Sequence, residues 1–387
     1  MRTLKFTGNN DVVLLHGGGE FFPALIEACA GAQSEIYLET YIFAHDPSGD
    51  RVKAALAEAA ARGVKVHVLS DWLGTGRVHS AQLKRELKES GVMQRHFNPW
   101  FWRGVARNHR KLCVIDRAVA FVGGINIIDD MYADDDTRAL LPHARWDFAV
   151  RITGPLVAEL RAEVEEQWLR VGPTKLRSRI ALLRRAKKPK GGADTRAMQA
   201  ALVVRDNFRN RRTILKAYLQ AIGQAQSSVL IANPYFAPGR KLRSALEQAV
   251  SRGVDVTLML GVGQFKLQDA VAHSFYPKLL DAGVKLIEYR HTQLHAKVAV
   301  VDGDWSTIGS SNIDGLSLFL NKEANVVIRD VQFAKTLRSH IEQGVEQGVA
   351  VNRADYAGIP WFKRVWYGAA FLLYQTIIRV VTWSKYV

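Results

Sequence analysis

One signature, written twice, constrains this 387-residue chain more than any other feature. His109, Lys111 and Asp116 form the pattern His-x-Lys-x4-Asp, and His295, Lys297 and Asp302 repeat it 186 positions later. With eleven histidines, and Lys and Asp each taken at about 5% usage, roughly 0.03 such matches are expected by chance. The two copies sit inside a longer self-similarity. AQSEIYLETYIF at 32–43 matches AQSSVLIANPYF at 225–236, and Ala61-Arg62-Gly63-Val64 matches Ser251-Arg252-Gly253-Val254. Gly123 and Asn126 likewise match Gly309 and Asn312. The offset drifts from 193 through 190 to 186, as loops of unequal length in a shared plan produce. The chain is a tandem duplication, and its length suits two units.

Each unit alternates helix and strand. The patterns predict helices over 22–30 and 51–62 and strands over 36–42 and 65–70 in the first unit. In the second they predict helices over 213–225 and 241–252 and strands over 229–232 and 256–260. Such alternation implies an α/β fold, a parallel or mixed sheet with helices on its faces. Each signature leads into a short apolar run, LCVI or VAVV, read as a strand. Residues two apart on a strand share a face, so His109 points with Lys111 and His295 with Lys297.

Paired His-x-Lys arms suit phosphoryl chemistry. Ammonium groups stabilise the charge that develops on non-bridging oxygens. A neutral imidazole can attack phosphorus, and a protonated one can supply a proton to the leaving oxygen. Two copies offer both roles, and the pattern demands no metal and no other cofactor. Cys113 reads as strand core; it and Cys29 are the only cysteines, which excludes a disulfide scaffold and fits a reducing compartment. His16 beside Gly17-Gly18-Gly19 lacks the lysine and spacing of a phosphate loop and is read as a simple turn.

The charge points outward. Fifty-three Lys and Arg against 37 Asp and Glu leave +16, which favours polyanionic partners. Eight basic residues and no acid fall within 174–190, ahead of Gly191-Gly192. That stretch reads as a solvated linker, as a basic arm near an anionic surface, or as both. The N-terminus has no apolar core, so no secretory signal is read there. No run reaches the roughly 18 uncharged apolar residues of a spanning helix. The nearest approach is 365–378, fourteen residues without a charge. Around it the tail carries Trp361, Phe362, Trp366, Phe371 and Trp383, flanked by Lys363, Arg364, Arg379 and Lys385. Such a segment suits the lipid headgroup boundary, and the alternative is a helix packed on the protein itself. A second aromatic cluster, Phe97, Trp100, Phe101 and Trp102, precedes His109 and reads as a loop at the site's mouth or as core.

The doubled signature, each copy followed by Gly-x-x-Asn, resembles the phospholipase D superfamily over about 14–330. LETYIF at 38–43, ARGVKV at 61–66, VRDN at 204–207, NPYFAPG at 233–239, GSSNID at 309–314 and LNKEANVVI at 320–328 are similar to the bacterial cardiolipin synthases. They resemble in particular the shorter B type, which lacks N-terminal membrane helices. The resemblance implies two tandem α-β-α sandwich domains with mixed central sheets, pseudo-twofold related, at 1–173 and 200–351. A basic linker at 174–199 would join them, and an amphipathic helical tail at 352–387 would meet the membrane.

The resemblance also implies a phosphohistidine, with His109 the nucleophile and His295 first acid, then base. Lys111 and Lys297 would bind phosphate oxygens and Asn126 and Asn312 would complete the pocket. Ser310 would donate a further hydrogen bond, where the first unit has Gly124. Asp147 and Glu323 would orient the histidines. Asp116 and Asp302 complete the catalytic signature, with a structural role preferred to one facing the phosphate. The implied enzyme is peripheral on the cytoplasmic side of a bacterial inner membrane. It would join two phosphatidylglycerols into cardiolipin and glycerol, with anionic phospholipid and the membrane surface as partners. No nucleic acid is expected, and no obligate protein partner is inferred. Water as acceptor would make it a hydrolase; a superfamily nuclease would explain the charge but not the apolar tail.

Overall fold

The computed structural model describes residues 4–134, 139–172, 198–207 and 209–382. Two mixed sheets form its frame. The first contains β1 (Asp11–His16), β2 (Glu35–Thr40), β3 (Lys65–Asp71), β4 (Met93–Phe97), β6 (Leu112–Ile115), β7 (Val119–Gly123) and β8 (Phe148–Thr153), with the short β5 (Trp102–Val105) outside it. Its order is β1-β8-β7-β6-β2-β3-β4. The second contains β9 (Gln199–Arg205), β10 (Ser228–Asn233), β11 (Asp255–Gly261), β12 (Lys285–Tyr289), β13 (Val298–Val301), β14 (Trp305–Gly309), β15 (Glu323–Arg329) and β16 (Val349–Ala350). Read from β9 its order is β9-β15-β14-β13-β10-β11-β12-β16, the first sheet's order with one strand added. In both, three neighbouring strands run parallel and the remaining pairs are antiparallel.

Helices cover both faces of each sheet. Outside the first lie α1 (Gly17–Ala30), α2 (Pro47–Ala61) and α3 (Arg77–Glu89); α4 (Leu156–Val171) lies inside. Outside the second lie α5 (Thr213–Gln224), α6 (Arg240–Ser251), α7 (Lys266–His273) and α8 (Tyr276–Asp281). The short α9 (Gly315–Phe319) follows β14, and α10 (Val331–Glu346) fills the inner face. One core joins the halves: Phe148, Leu160 and Val164 pack in the same cluster as Val298, Val326, Leu337 and Ile341. Strands covered on both faces read as unbroken apolar runs, which is why LCVI and VAVV are buried throughout.

The predicted helices and strands all form, with ends moved by a few residues. The glycines after His16 differ from expectation. They are no simple turn but the first turn of α1, whose Gly18 amide bonds the Asp130 carboxylate. Phe97 is core, on β4, while Trp100 and Phe101 are exposed. Most of the basic linker, and Trp383 and Lys385, lie outside the described residues; Gln199 already belongs to β9. Residues near the start pack on the second unit, since Thr7 pairs with Ala200 and Phe6 joins that unit's core.

One side of the tail packs on the protein and the other is exposed. After α11 (Arg353–Ala357), α12 (Trp361–Thr382) lays Ala370 and Ile378 against the second unit. Phe371 meets Phe275 at 5.0 Å, and the Tyr374 hydroxyl accepts from Gly315 N at 2.6 Å. Its other side is open: Trp361 is 75% and Leu372 64% exposed, with Val365, Trp366, Leu373 and Val380 beside them. No helix among the described residues is long and apolar enough to cross a membrane.

Candidate active site

The reactive side chains enter from the ends of two central strands. Neither His-x-Lys lies within its strand, as the sequence suggested; each occupies the extended segment just before β6 or β13. Each lysine reaches back to its own histidine: Lys111 Nζ donates to His109 O at 2.9 Å, and Lys297 Nζ to His295 O.

These segments cross between halves. His109 N donates to Lys322 O, and His295 N donates to Trp146 O, both at 2.9 Å. Each signature therefore runs alongside the acid-bearing strand start of the opposite unit. His109 Nδ1 lies 3.1 Å from Glu323 Oε2, and His295 Nδ1 lies 2.6 Å from Asp147 Oδ2. A carboxylate at Nδ1 fixes the tautomer and leaves Nε2 for chemistry. Each histidine thus has a carboxylate at Nδ1, and each acid comes from the other half.

The cluster is nearly sealed, with side-chain exposures of 11% for His109 and 5% for His295. Burial sets its electrostatics. It pulls both imidazoles below the usual histidine range, His295 strongly, with Lys297 adding to the effect there. Burial, then the neighbouring Lys297, pushes Lys111 down to about 7. Burial brings Lys297 down to about 8 against the pull of Asp147, Asp134 and Glu323. Two buried ammonium groups this close are costly when the site is empty, and a bound anion relieves them.

The other expected residues divide. Ser310 Oγ donates to Glu323 Oε2 and accepts from Ala324 N, so its proton braces the acid. At Gly124 a Cβ would overlap the Asp147 carboxylate, which occupies that space itself. Asn126 Oδ1 accepts from Ile42 N at 3.2 Å and ties two loops; Asn312 Oδ1 is buried without a partner.

Asp116 and Asp302 are not brought to the cluster. They sit past the far ends of β6 and β13, both at φ 51°, a left-handed backbone that Asp tolerates better than most residues. Asp116 accepts from the amides of Gln33, Ser34 and Glu35 at 2.7–2.9 Å and from Ser34 Oγ. Asp302 does the same with Gln226, Ser227 and Ser228. The repeated Ala-Gln-Ser is the cradle for the repeated aspartate. As catalytic groups the two aspartates are corrected: they anchor the strands that carry the histidines.

Four neighbours escaped sequence reasoning. Asp134 Oδ2 lies 3.4 Å from His295 Nε2, and Gln293 Nε2 donates to its other oxygen at 2.5 Å. Burial would raise the Asp134 carboxyl, but His295, Arg145 and Lys297 outweigh it and hold it below the usual range. Arg145 braces Gln293 in turn, at 3.0 Å. Tyr41 presents its ring to His109 at 5.0 Å. The run Asp134-Asp135-Asp136, in a stretch of sequence with no counterpart in the second unit, was the available signal. Among the described residues no group of His, Cys, Asp and Glu could hold a metal ion.

A duplicated α/β frame that brings two His-x-Lys arms to one buried, cationic pocket defines a phospholipase D-type protein. The family described as "Cardiolipin synthase, PLD-like domain" matches residues 25–168 and 218–344, and the chain belongs to it. Cardiolipin synthase B of Salmonella typhi is 39% identical over 369 residues, covering 92% of this chain and 85% of that protein. The protein of that name from Escherichia coli K12 is 37% identical at the same coverages. Among solved structures, phosphatidylserine synthase from Haemophilus influenzae superposes with a TM-score of 0.69 at 16% identity, covering 98% and 97% of the two chains. That likeness speaks for the fold.

Proposed function

We propose that this chain is a cardiolipin synthase, a phosphatidyltransferase that moves a phosphatidyl group from one phosphatidylglycerol to another and releases glycerol. Membership of the family and 37–39% identity to proteins of that name over 92% of the chain support the activity. The observation that carries the mechanism is the crossed pair, two imidazoles aligned by the opposite unit's acids over two lysines.

In this reading His109 Nε2 attacks phosphorus as the glycerol oxygen departs with a proton from His295 Nε2. The hydroxyl of a second phosphatidylglycerol then gives its proton to His295 and attacks phosphorus, and the bond to His109 breaks. Lys111 and Lys297 hold the non-bridging oxygens in both steps. Asp134 supports this division of labour. The carboxylate beside Nε2 of His295 works toward its imidazolium form, against the burial and the Lys297 charge that pull this imidazole down, and no hydrogen bond engages Nε2 of His109 among the described residues.

Localisation follows from the surface. The exposed apolar face of α12 and the +16 charge support peripheral attachment to an anionic bilayer. Two free, buried cysteines fit the cytoplasmic side of a bacterial inner membrane.

The test is mass spectrometry of lipid products from the protein and phosphatidylglycerol in mixed micelles, with chelator present. Cardiolipin with equimolar glycerol is expected. Phosphatidic acid alone would make the protein a hydrolase, and no turnover of lipid would overturn the proposal.

A further inference from the structure

The second unit carries a cavity that the catalytic cluster does not use. It measures about 150 Å³ and lies where the N-terminal ends of α5 and α6 approach α9. Its rim holds Arg212, Lys216, Arg240 and Lys241, all exposed. Its floor is apolar: Leu215, Leu242 and Leu318 are buried, with Leu219 and Phe319 half-buried. None of the four cations has an ion-pair partner among the described residues.

The charge placement runs against helix electrostatics. Acids normally occupy the first turn, where the macrodipole is positive. Neither α5 nor α6 has an acid there or a side-chain cap, and cations stand in their place. The positive potentials therefore add over the opening. Such a field favours an anion, while an apolar floor of this size favours one carrying hydrocarbon. The volume suits a phosphate and its first few carbons, leaving longer chains outside.

The floor leads two ways. On one side α9 is held to the tail, since Gly315 N donates to the Tyr374 hydroxyl and Ile378 lies against Gly315. Arg243 stacks on Phe275, which meets Phe371 of the tail. The rim is thus continuous with the helix whose far side is exposed and apolar. On the other side α9 begins just after Asn312 and ends just before Glu323.

We propose that this cavity seats the phosphate of a second anionic phospholipid, one not being turned over, whose acyl chains remain in the bilayer beside α12. The site rests on the membrane reading above and deepens it. It gives attachment a headgroup preference, and it couples the bilayer to the loop between Asn312 and Glu323.

The test uses the full chain carrying His109→Ala, so that bound lipid is not consumed, with phosphatidylcholine vesicles that contain or lack phosphatidylglycerol. Two variants probe the cavity. One combines Arg212→Gln, Lys216→Gln, Arg240→Gln and Lys241→Gln; the other, Leu219→Trp, fills the cavity and leaves the charge intact. A control removes four exposed charges from the first unit: Arg51→Gln, Lys65→Gln, Arg85→Gln and Lys88→Gln. Both cavity variants should weaken phosphatidylglycerol-dependent binding about tenfold or more, and the control by less than about threefold. With His109 restored, the same cavity variants should turn over phosphatidylglycerol in detergent micelles as the parent enzyme does, which excludes misfolding. Leu219→Trp binding like its parent, or the control losing as much as the charge variant, would overturn the site. Competition by inorganic phosphate as effective as by lipid would overturn the choice of lipid. If the parent itself ignored phosphatidylglycerol vesicles, the membrane reading would fall first.

Discussion

The two units are alike where the chain holds itself and unlike where it meets a substrate. The first sheet's seven strands recur in the same order in the second, and Asp116 and Asp302 seat in the same cradle of amides. At the opposite ends of those strands the likeness stops. Ser310 braces Glu323, whereas Gly124 makes room for Asp147. His295 has Asp134 beside its outer nitrogen, and His109 has the ring of Tyr41. The two-step transfer proposed above needs one imidazole to attack and another to manage protons. A symmetric frame with asymmetric ends provides that difference while keeping both rings in place.

The largest expected effects test that assignment. His109→Ala should abolish turnover, because the proposed nucleophile is lost. His295→Ala should slow the native reaction by about 10²–10⁴-fold, the usual scale for a general acid–base group. It should still form the covalent adduct from a phosphatidyl ester of p-nitrophenol, whose leaving group needs no proton. Intact-protein mass spectrometry distinguishes the two. An adduct that accumulates in His109→Ala instead would reverse the roles.

A swap between the units comes next. Gly124→Ser imports the second unit's residue, but its Cβ would collide with Asp147 and free His295 from its acid. Activity should fall on the order of 10²-fold, toward the loss expected of Asp147→Asn. The reverse swap, Ser310→Gly, removes one brace from Glu323 and should cost about tenfold. Steady-state rates of the two swaps measure how far the halves have diverged; equal losses would argue that they have not.

Much of this was legible in the sequence. The duplication, the strand and helix positions and the His-x-Lys arms follow from repeats and periodicity. Periodicity, however, reports which residues share a face of one element, not which element they meet across the molecule. The crossing of each histidine to the other unit's acid therefore appears only in the fold, through the pairing of Asn108 with Lys322 and Trp146 with Leu294. Asp134 was hidden for a related reason. Three adjacent aspartates look like a solvated loop until Arg145 and Gln293 draw one of them inward. The tail offered a choice that its structure does not force: one apolar side packs on the protein and another is exposed.

The lysines give a smaller, pH-dependent effect. In the empty site Lys111 is pushed down to about 7 and Lys297 to about 8, yet each must be protonated to hold a phosphate. As pH rises from about 7 to 9 the free site loses positive charge, so kcat/KM should fall roughly tenfold per unit between the two values and approach about a hundredfold per unit past the higher one. Bound phosphate restores the ammonium form, so kcat should hold to higher pH. Stability should move the other way. The folded state binds fewer protons than the unfolded chain between these values and about 10.4, so unfolding free energy rises with pH across that window. Paired pH–rate and denaturation profiles check both signs; parallel declines would point to unfolding instead.

The smallest effects are expected from the aspartates of the signature, where the units are most alike. Asp116→Ala and Asp302→Ala each remove the acceptor for three amides and a serine hydroxyl, at a cost of about 1–3 kcal/mol in unfolding free energy. Because the donors correspond one for one, the two losses should be nearly equal, and kcat should stay within about twofold of the parent. Burial works to raise each carboxyl, but the amides outweigh it and hold both below the usual carboxylate range. The stabilisation is thus present above the unfolded value near 3.9 and is lost as pH falls through the lower folded one. Parent and variants should converge in acid. Urea titrations across that range provide the measurement. An Asp116→Ala enzyme that kept its stability and lost its chemistry would return this residue to the active site and break the likeness of the two units where it is strongest.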